Sequence, residues 1–246
     1  YSIVYLLTVQ VKKMDSRFSF VSVGVILLLL LVQISTINTM VFRKDGYTGK
    51  EEVIHEEKVD VPDISTRFSG GDGSATNPYQ ITDVYQLQAM KNDLSAHYVL
   101  VNDIDASATG SWNWGLGFEP IGDSSNNFTG SFDGRNHTIT GLYINRPSTD
   151  YVGLFGYMGS GGCVRNVDLI DVDVTGGWYV GGLVGENHGT VVNCSATGSV
   201  SGSGNLVGGL VGWNYGTVVN CHNNMSVTGR GEVGGLVGRN YGCLLY

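Results

Sequence analysis

The sequence predicts an all-β chain: a right-handed parallel β-helix with an N-terminal, helix-containing cap, preceded by an N-terminal hydrophobic helix. Three observations predict it. An octapeptide recurs at near-constant spacing, as Gly182-Leu183-Val184-Gly185-Glu186-Asn187-His188-Gly189, again 27 residues on from Gly209 to Gly216, and 26 further on from Gly235 to Gly242. Composition is apolar and glycine-dense: hydrophobic residues make up 42% and charged ones 15%, and 37 of the 246 residues are Gly. That balance excludes a solvated disordered chain, and with only 4 prolines it excludes collagen. Finally, no repeat contains an apolar period of helix length, so helical repeat architectures fail.

At the N-terminus, residues 1–17 form a basic lead, in which Met14 is a candidate true start because the chain opens on Tyr1. Residues 18–42 are uncharged, with an almost pure Val, Ile and Leu centre, and basic residues flank them at Arg17 and Arg43. Such a segment is a signal peptide or a membrane anchor, and it sets the expected location as extracellular or in the cell envelope. Residues 43–67, rich in Glu and Lys, read as a linker. The net charge of −8 arises beyond residue 60, where seven basic residues face fifteen acidic ones. An acidic body of this kind cannot neutralise phosphates, which argues against nucleic acid as a partner.

Residues 68–150 supply a cap and first coils. The stretch Thr82–Lys91 reads as a short helix capped by Asp83 with Gln86 three residues on, its Val84, Leu87 and Met90 sharing one face. Strand-like pieces follow at Tyr98–Ile104, Phe128–Phe132 and His137–Ile144, and Trp112, Trp114 and Phe118 are expected to cluster. Residues 151–246 hold the repeats, opened by a degenerate copy at Gly153-Leu154-Phe155-Gly156 and stopping partway through a unit, as a fragment or truncated product does. Each full unit adds a second piece, Thr190-Val191-Val192-Asn193-Cys194 or Thr217-Val218-Val219-Asn220-Cys221, and a third around Val200 or Val227. One unit cannot bury its own apolar face, so units must stack. Stacking places Asn187, Asn214 and Asn240 in one column, read here as turn residues whose amides ladder along the axis, beside turn glycines Gly185, Gly212 and Gly238.

The octapeptides resemble the GLUG repeat. The upstream segment is similar to what precedes such repeats: Phe68–Ser74, Pro78–Ile81, Asp103–Asp105, Phe118–Gly122 and Gly130–Gly134. The resemblance spans roughly residues 68–246. It implies a large secreted or surface-bound bacterial or archaeal protein, often adhesin-like, and such repeats also accompany the catalytic part of IgA-specific metallopeptidases. That activity does not carry over. In His55-Glu56-Glu57-Lys58-Val59, Val59 stands where an H-E-x-x-H zinc site needs its second His. Gly229–Gly234 matches G-x-G-x-x-G but precedes a further β-type repeat rather than a helix. Gly70–Ala75 approaches a calcium nonapeptide but has Ala75 in place of Asp, and reads as a turn.

No catalytic residue and no cofactor is expected. Asp168, Asp171 and Asp173 are weak calcium candidates, set against ordinary solvent-facing alternation, which also covers Asp103 and Asp105. Candidate ligand-binding residues are the aromatic columns: His188, Tyr215 and Tyr241, with Glu186, Trp213 and Arg239 two residues earlier, and Trp112 and Trp114 in the cap. These suit a glycan or a protein on a host or neighbouring cell, or mutual packing along the solenoid. The expected function is therefore a non-catalytic surface scaffold or adhesin. The alternatives are a carbohydrate-active β-helix enzyme and the N-terminal part of a longer surface peptidase. Cys194 and Cys221 hold equivalent positions in adjacent units, within disulfide range but expected as buried free thiols, whereas Cys163 and Cys243 lie three units apart. N-glycosylation sequons occur at Asn127, Asn136, Asn193 and Asn224, of which Asn193 is expected to point inward.

Overall fold

The computed structural model describes residues 68–245; the basic lead, the hydrophobic segment 18–42 and the linker lie outside the described residues. No helix among the described residues is long and apolar enough to cross a membrane. The cap opens with β1 (Tyr79–Ile81) and α1 (Val84–Ala89). The sequence-level capping reading is realised: Asp83 accepts from Gln86 N at 2.8 Å, and Gln86 Oε1 accepts from Thr82 N at 2.8 Å. Then come β2 (His97–Leu100), β3 (Ile104–Asp105), a 3₁₀ stretch (Ser107–Gly115), β4 (Ser131–Thr140) and β5 (Tyr143–Asn145). The single strand expected over Tyr98–Ile104 is thus two, and Phe128 makes only an isolated bridge to Met158 before β4 begins.

The repeats follow as β6 (Phe155–Met158), β7 (Cys163–Gly176), β8 (Val180–Gly181), β9 (Val184–Asn187), β10 (Thr190–Val192), β11 (Ser195–Gly202), β12 (Asn205–Gly208) and β13 (Val211–Asn214). The last coil is β14 (Thr217–Val219), β15 (His222–Thr228), β16 (Gly231–Gly234), β17 (Val237–Asn240) and β18 (Cys243–Leu245). Every pairing between named strands is parallel, and the register steps one repeat at a time: Thr190 faces Thr217, Ser195 faces His222, and Val211 faces Val184 on one side and Val237 on the other. The result is a parallel β-solenoid of three sheets. One runs β1-β2-β4-β7-β10-β14-β18, with β11 and β15 extending it sideways from β7. The others are β16-β12-β8 and β17-β13-β9-β6.

Valines and leucines at matching positions of successive coils fill the interior: Val164, Val191 and Val218 in one column, Leu183 and Leu210 in another, all fully buried. Burying such side chains supplies about 1.5–3 kcal/mol each, and here each is sealed only by the coils above and below. At the cap end the column becomes aromatic, with Phe128 and Phe155 rings 4.8 Å apart and Phe132 5.7 Å from Phe155.

The octapeptide glycines do a different job from the one expected. Gly185, Gly212 and Gly238 have ordinary backbone conformations and are not turns. A β-carbon on any of them would lie 2.6 Å from the carbonyl oxygen of the equivalent glycine one coil back, Gly156, Gly185 and Gly212 respectively. At Gly212 it would also lie 2.6 Å from Val180 N. The sheet of β8, β12 and β16 and that of β9, β13 and β17 therefore meet backbone to backbone, forming a thin arm that only glycine permits.

Left-handed backbone occurs instead at two columns of residues with side chains. One is the bend Asn166, Asn193 and Asn220, with φ of 54°, 53° and 52°. The other is Tyr151, Tyr179, Leu206 and Glu232, at 60°, 58°, 67° and 50°. Asparagine tolerates this conformation. The bulkier residues hold it because the coils on either side impose the same path. Asn193 accordingly sits exposed at a bend, not inward on a strand, and Asn193 Nδ2 donates to Asn166 Oδ1 at 3.1 Å.

Candidate functional site: an aromatic strip on the repeat arm

The outer edge of the thin arm carries the side chains at the octapeptide's variable positions. Asn187 and Asn214 are buried strand-end residues with ordinary φ, so the turn role foreseen for this column belongs to the bend asparagines. Their amides do ladder: Asn187 Nδ2 donates to Asn214 Oδ1 at 2.7 Å, and Asn214 Nδ2 donates to Asn240 Oδ1 at 2.6 Å. Asn187 Oδ1 also accepts from Gly189 N at 2.9 Å, closing the turn that follows. The ladder fixes the coil spacing directly beneath the aromatic residues.

Those residues form two rows along the axis. In the first, Tyr151 stacks on Tyr179 with ring centres 4.6 Å apart, and Tyr179 on Trp213 at 5.3 Å. In the second, Tyr157 stacks on His188 at 5.2 Å, His188 on Tyr215 at 4.8 Å and Tyr215 on Tyr241 at 5.5 Å. Trp213 and Tyr215, 4.6 Å apart, join the rows. Arg239 lies 4.7 Å over Tyr241 and pairs with Glu232 at 3.3 Å. Ring faces are largely spent on one another, and the Tyr241 ring is the most exposed of the strip at 59%, its hydroxyl accepting from Arg239 Nη2.

Beneath the strip lies a buried carboxylate. Glu186 is 7% exposed and bonds His188 Nε2 at 2.7 Å, and the same nitrogen is 2.9 Å from the Tyr157 hydroxyl. Burial, and next the Glu186 charge, pushes the Tyr157 phenol up to about 12. The same two causes, in the same order, raise Tyr151, Tyr179 and Tyr215. All four phenols therefore stay protonated at neutral pH; the Tyr157 hydroxyl is engaged with His188, and those of Tyr151, Tyr179 and Tyr215 keep their capacity to donate.

Sequence reasoning missed Tyr151, Tyr157 and Tyr179. Tyr157 was detectable, since the degenerate first octapeptide places it in register with Glu186. Tyr151 and Tyr179 have no aromatic counterpart in later coils, where Leu206 and Glu232 take the place, so no period revealed them. Of the cluster expected from Trp112, Trp114 and Phe118, only Trp114 stands apart. Trp112 packs on Phe118 at 6.4 Å and on Tyr85 at 5.2 Å, whereas Trp114 has left-handed backbone and projects fully into solvent.

The weak calcium candidates are not brought together. Asp168 Oδ1 accepts from Ser195 Oγ at 2.5 Å, Asp173 Oδ1 accepts from Ser199 Oγ at 3.0 Å, and exposed Asp171 sits at φ 51° in an irregular stretch of the pairing. No group of three or more His, Cys, Asp or Glu among the described residues is arranged to hold a metal. Asp103 accepts from Thr138 N at 2.9 Å, and Asp105 from Ser107 N at 2.9 Å; hydrogen bonding lowers both carboxyls, first from the Thr138 backbone at Asp103, and first from the Ser107 side chain and then its backbone at Asp105.

The four cysteines are free. Cys194 and Cys221 are buried neighbours in adjacent coils, each with Sγ 3.2 Å from the carbonyl two residues before it. The hydrogen bond between the two thiols, followed by burial, holds Cys194 well above the ordinary range. Burial also raises Cys163. Alkylation of the native chain should label exposed Cys243 first and half-buried Cys163 more slowly. Cys194 and Cys221 should be labelled only on unfolding. Intact mass checks this: a native chain 2 Da lighter before reduction than after would mean that the pair is bonded.

Fold and site together define a parallel β-solenoid repeat protein with an aromatic strip along one edge. The GLUG motif matches two of its repeats, residues 176–201 and 203–228. The chain is 44% identical over 144 residues to halomucin of Haloquadratum walsbyi, a match covering 55% of this chain and 2% of halomucin. It is 43% identical over 136 residues to a candidate Gly-rich membrane protein of Evansella cellulosilytica, covering 53% of this chain and 16% of that protein. The chain thus spans only a small part of the length of either relative. Among solved structures, a candidate immunoglobulin A1 protease from Bacteroides ovatus shares the fold with a TM-score of 0.55, at 23% identity and with 72% of this chain and 67% of that chain covered.

Proposed function

We propose that this chain is a non-catalytic module of a cell-envelope or extracellular protein, acting as scaffold and adhesive surface and engaging a glycan or protein partner along its repeat edge. The observation that carries the reading is the two-row aromatic strip lying over buried Glu186. It offers a continuous, rigid series of phenol donors and apolar ring edges, the combination that recurs at recognition surfaces. The strip is built from equivalent positions of successive coils. Repeated columns of this kind suit a contact surface that lengthens with repeat number, and suit less well the single non-repeating constellation an enzyme needs.

The envelope location is supported by the names of the two relatives and by segment 18–42, read as a signal peptide or membrane anchor. The right-handed winding of the coils is part of the same reading, because parallel crossovers strongly favour that hand. The test is an array of glycans and extracellular proteins probed with the full chain, with and without calcium. Retention of at least one ligand class, unchanged by chelation, is expected. No retention in either condition leaves a passive spacer and rejects the adhesive role.

A further inference from the structure

A recess of about 900 Å³ opens where the 3₁₀ turn after α1 meets the loops 119–129 and 146–151. That is within the size range of small-molecule sites, about 300–1,000 Å³. Its charged lining is Lys91, Asp93, Glu119, Asp123, Arg146 and Asp150. Four carboxylates against two cations leave it net negative, so it disfavours anionic ligands.

The polar groups are held in place with bonding capacity to spare. Asp93 Oδ1 accepts from Ser95 Oγ at 2.8 Å, Asp123 Oδ1 from Ser125 N at 2.7 Å, and Asp150 Oδ1 from Trp178 N at 2.9 Å. In each case the fold uses Oδ1 and leaves Oδ2 without a protein partner among the described residues. Arg146 donates through Nε to Phe118 O at 3.1 Å, which fixes the guanidinium and leaves both terminal nitrogens likewise unpartnered. Fixed carboxylate acceptors and the fixed Arg146 donor in one recess suit hydroxyl groups, each of which donates and accepts.

An aromatic platform adjoins the recess. Trp178, bonded through its backbone to Asp150 and to Tyr151 N, is 45% exposed. A β-carbon on Gly204 would fall 2.4 Å from Trp178 Cδ1, 2.5 Å from Nε1 and 2.7 Å from Cγ, so the indole packs on that glycine while nearly half of the residue stays exposed. Unlike the strip's rings, this one has no stacked aromatic partner among the described residues, only a tilted contact with Tyr179 at 6.4 Å. Tyr151 both lines the recess and begins the strip, so the two surfaces are continuous.

We propose that this recess binds a neutral glycan chain, with Trp178 as its stacking platform and Arg146, Asp123 and Asp150 as hydroxyl partners. The proposal deepens the adhesive reading by assigning a ligand class, and its own residues lie apart from Tyr215 and Tyr241. The experiment is affinity electrophoresis of the full chain through gels containing dextran, starch, mannan or xyloglucan, with alginate and hyaluronan as acidic counterparts. At least one neutral polymer should retard the chain and neither acidic one should. Trp178→Ala, Arg146→Gln and Asp150→Asn should each weaken retardation roughly tenfold, about one good contact's worth. Asp150→Asn keeps the acceptor for Trp178 N, so it separates ligand loss from misfolding. Retardation by acidic polymers alone, by none, or equally by the wild type and these variants overturns the proposal. Loss with Tyr215→Ala but not with the recess variants would leave the strip as the adhesive surface and reject the recess alone.

Discussion

Gly212→Ala is expected to destabilise the repeat arm by about 3 kcal/mol or more, beyond an ordinary overpacking cost because the new methyl meets only backbone. Its β-carbon would sit 2.6 Å from Gly185 O, 2.6 Å from Val180 N and 2.8 Å from Tyr179 C. None of these atoms can swing aside as the end of a flexible side chain can. Relief requires the sheet containing β8 and β12 to separate from the one containing β9 and β13. Since each coil is stabilised mainly by its neighbours, the loss should spread through the flanking coils. Gly235→Ala is the control: nothing lies within 4 Å of its added β-carbon, so stability should hold or rise slightly. Urea midpoints followed by circular dichroism compare the two, and equal midpoints would mean that the backbones are not in contact.

Asn214→Leu should cost about 2–3 kcal/mol despite similar volume. It removes both ladder bonds of the middle coil, leaving Asn187 Nδ2 buried with only a 3.5 Å contact to Thr217 O. Leucine fills the space but cannot accept a hydrogen bond, and the stranded donor bears the full desolvation penalty. Replacing Asn187 and Asn214 together should cost less than the sum of the single changes, because the unpaired donor disappears with its partner. Chemical unfolding of the two single variants and the double variant measures this coupling.

Much of the coil geometry was legible in the sequence. The 27- and 26-residue spacings dictate that Thr190 faces Thr217, that Asn187 stacks on Asn214, and that Cys194 neighbours Cys221. The cap helix was legible because Asp83 and Gln86 act locally. What was not legible depends on long-range approach. A glycine in a repeat reads equally as a turn or as a site of backbone contact, and only the facing of β8 with β9 and of β12 with β13 selects contact at Gly185 and Gly212. Left-handed backbone at Tyr179 and Leu206 contradicts local preference and is imposed by neighbouring coils. Part of the aromatic strip followed from the repeat columns of His188, Tyr215 and Tyr241. Tyr151, Tyr179 and Trp178 escaped because no period marks them, and the packing of Trp178 against Gly204 depends on the following coil.

The most direct test of the central claim measures ligand retention and thermal unfolding together for the full chain and a Tyr215→Ser/Tyr241→Ser variant. Both rings are among the exposed aromatics, and neither hydroxyl supports the asparagine ladder. The account predicts a variant that keeps its parallel-sheet circular dichroism and nearly all its melting temperature while losing the glycan or protein ligand that the wild type retains. A variant that retains the ligand as the wild type does, or that loses ligand only because its coils unfold, would show that the strip holds the solenoid together and is not its contact surface.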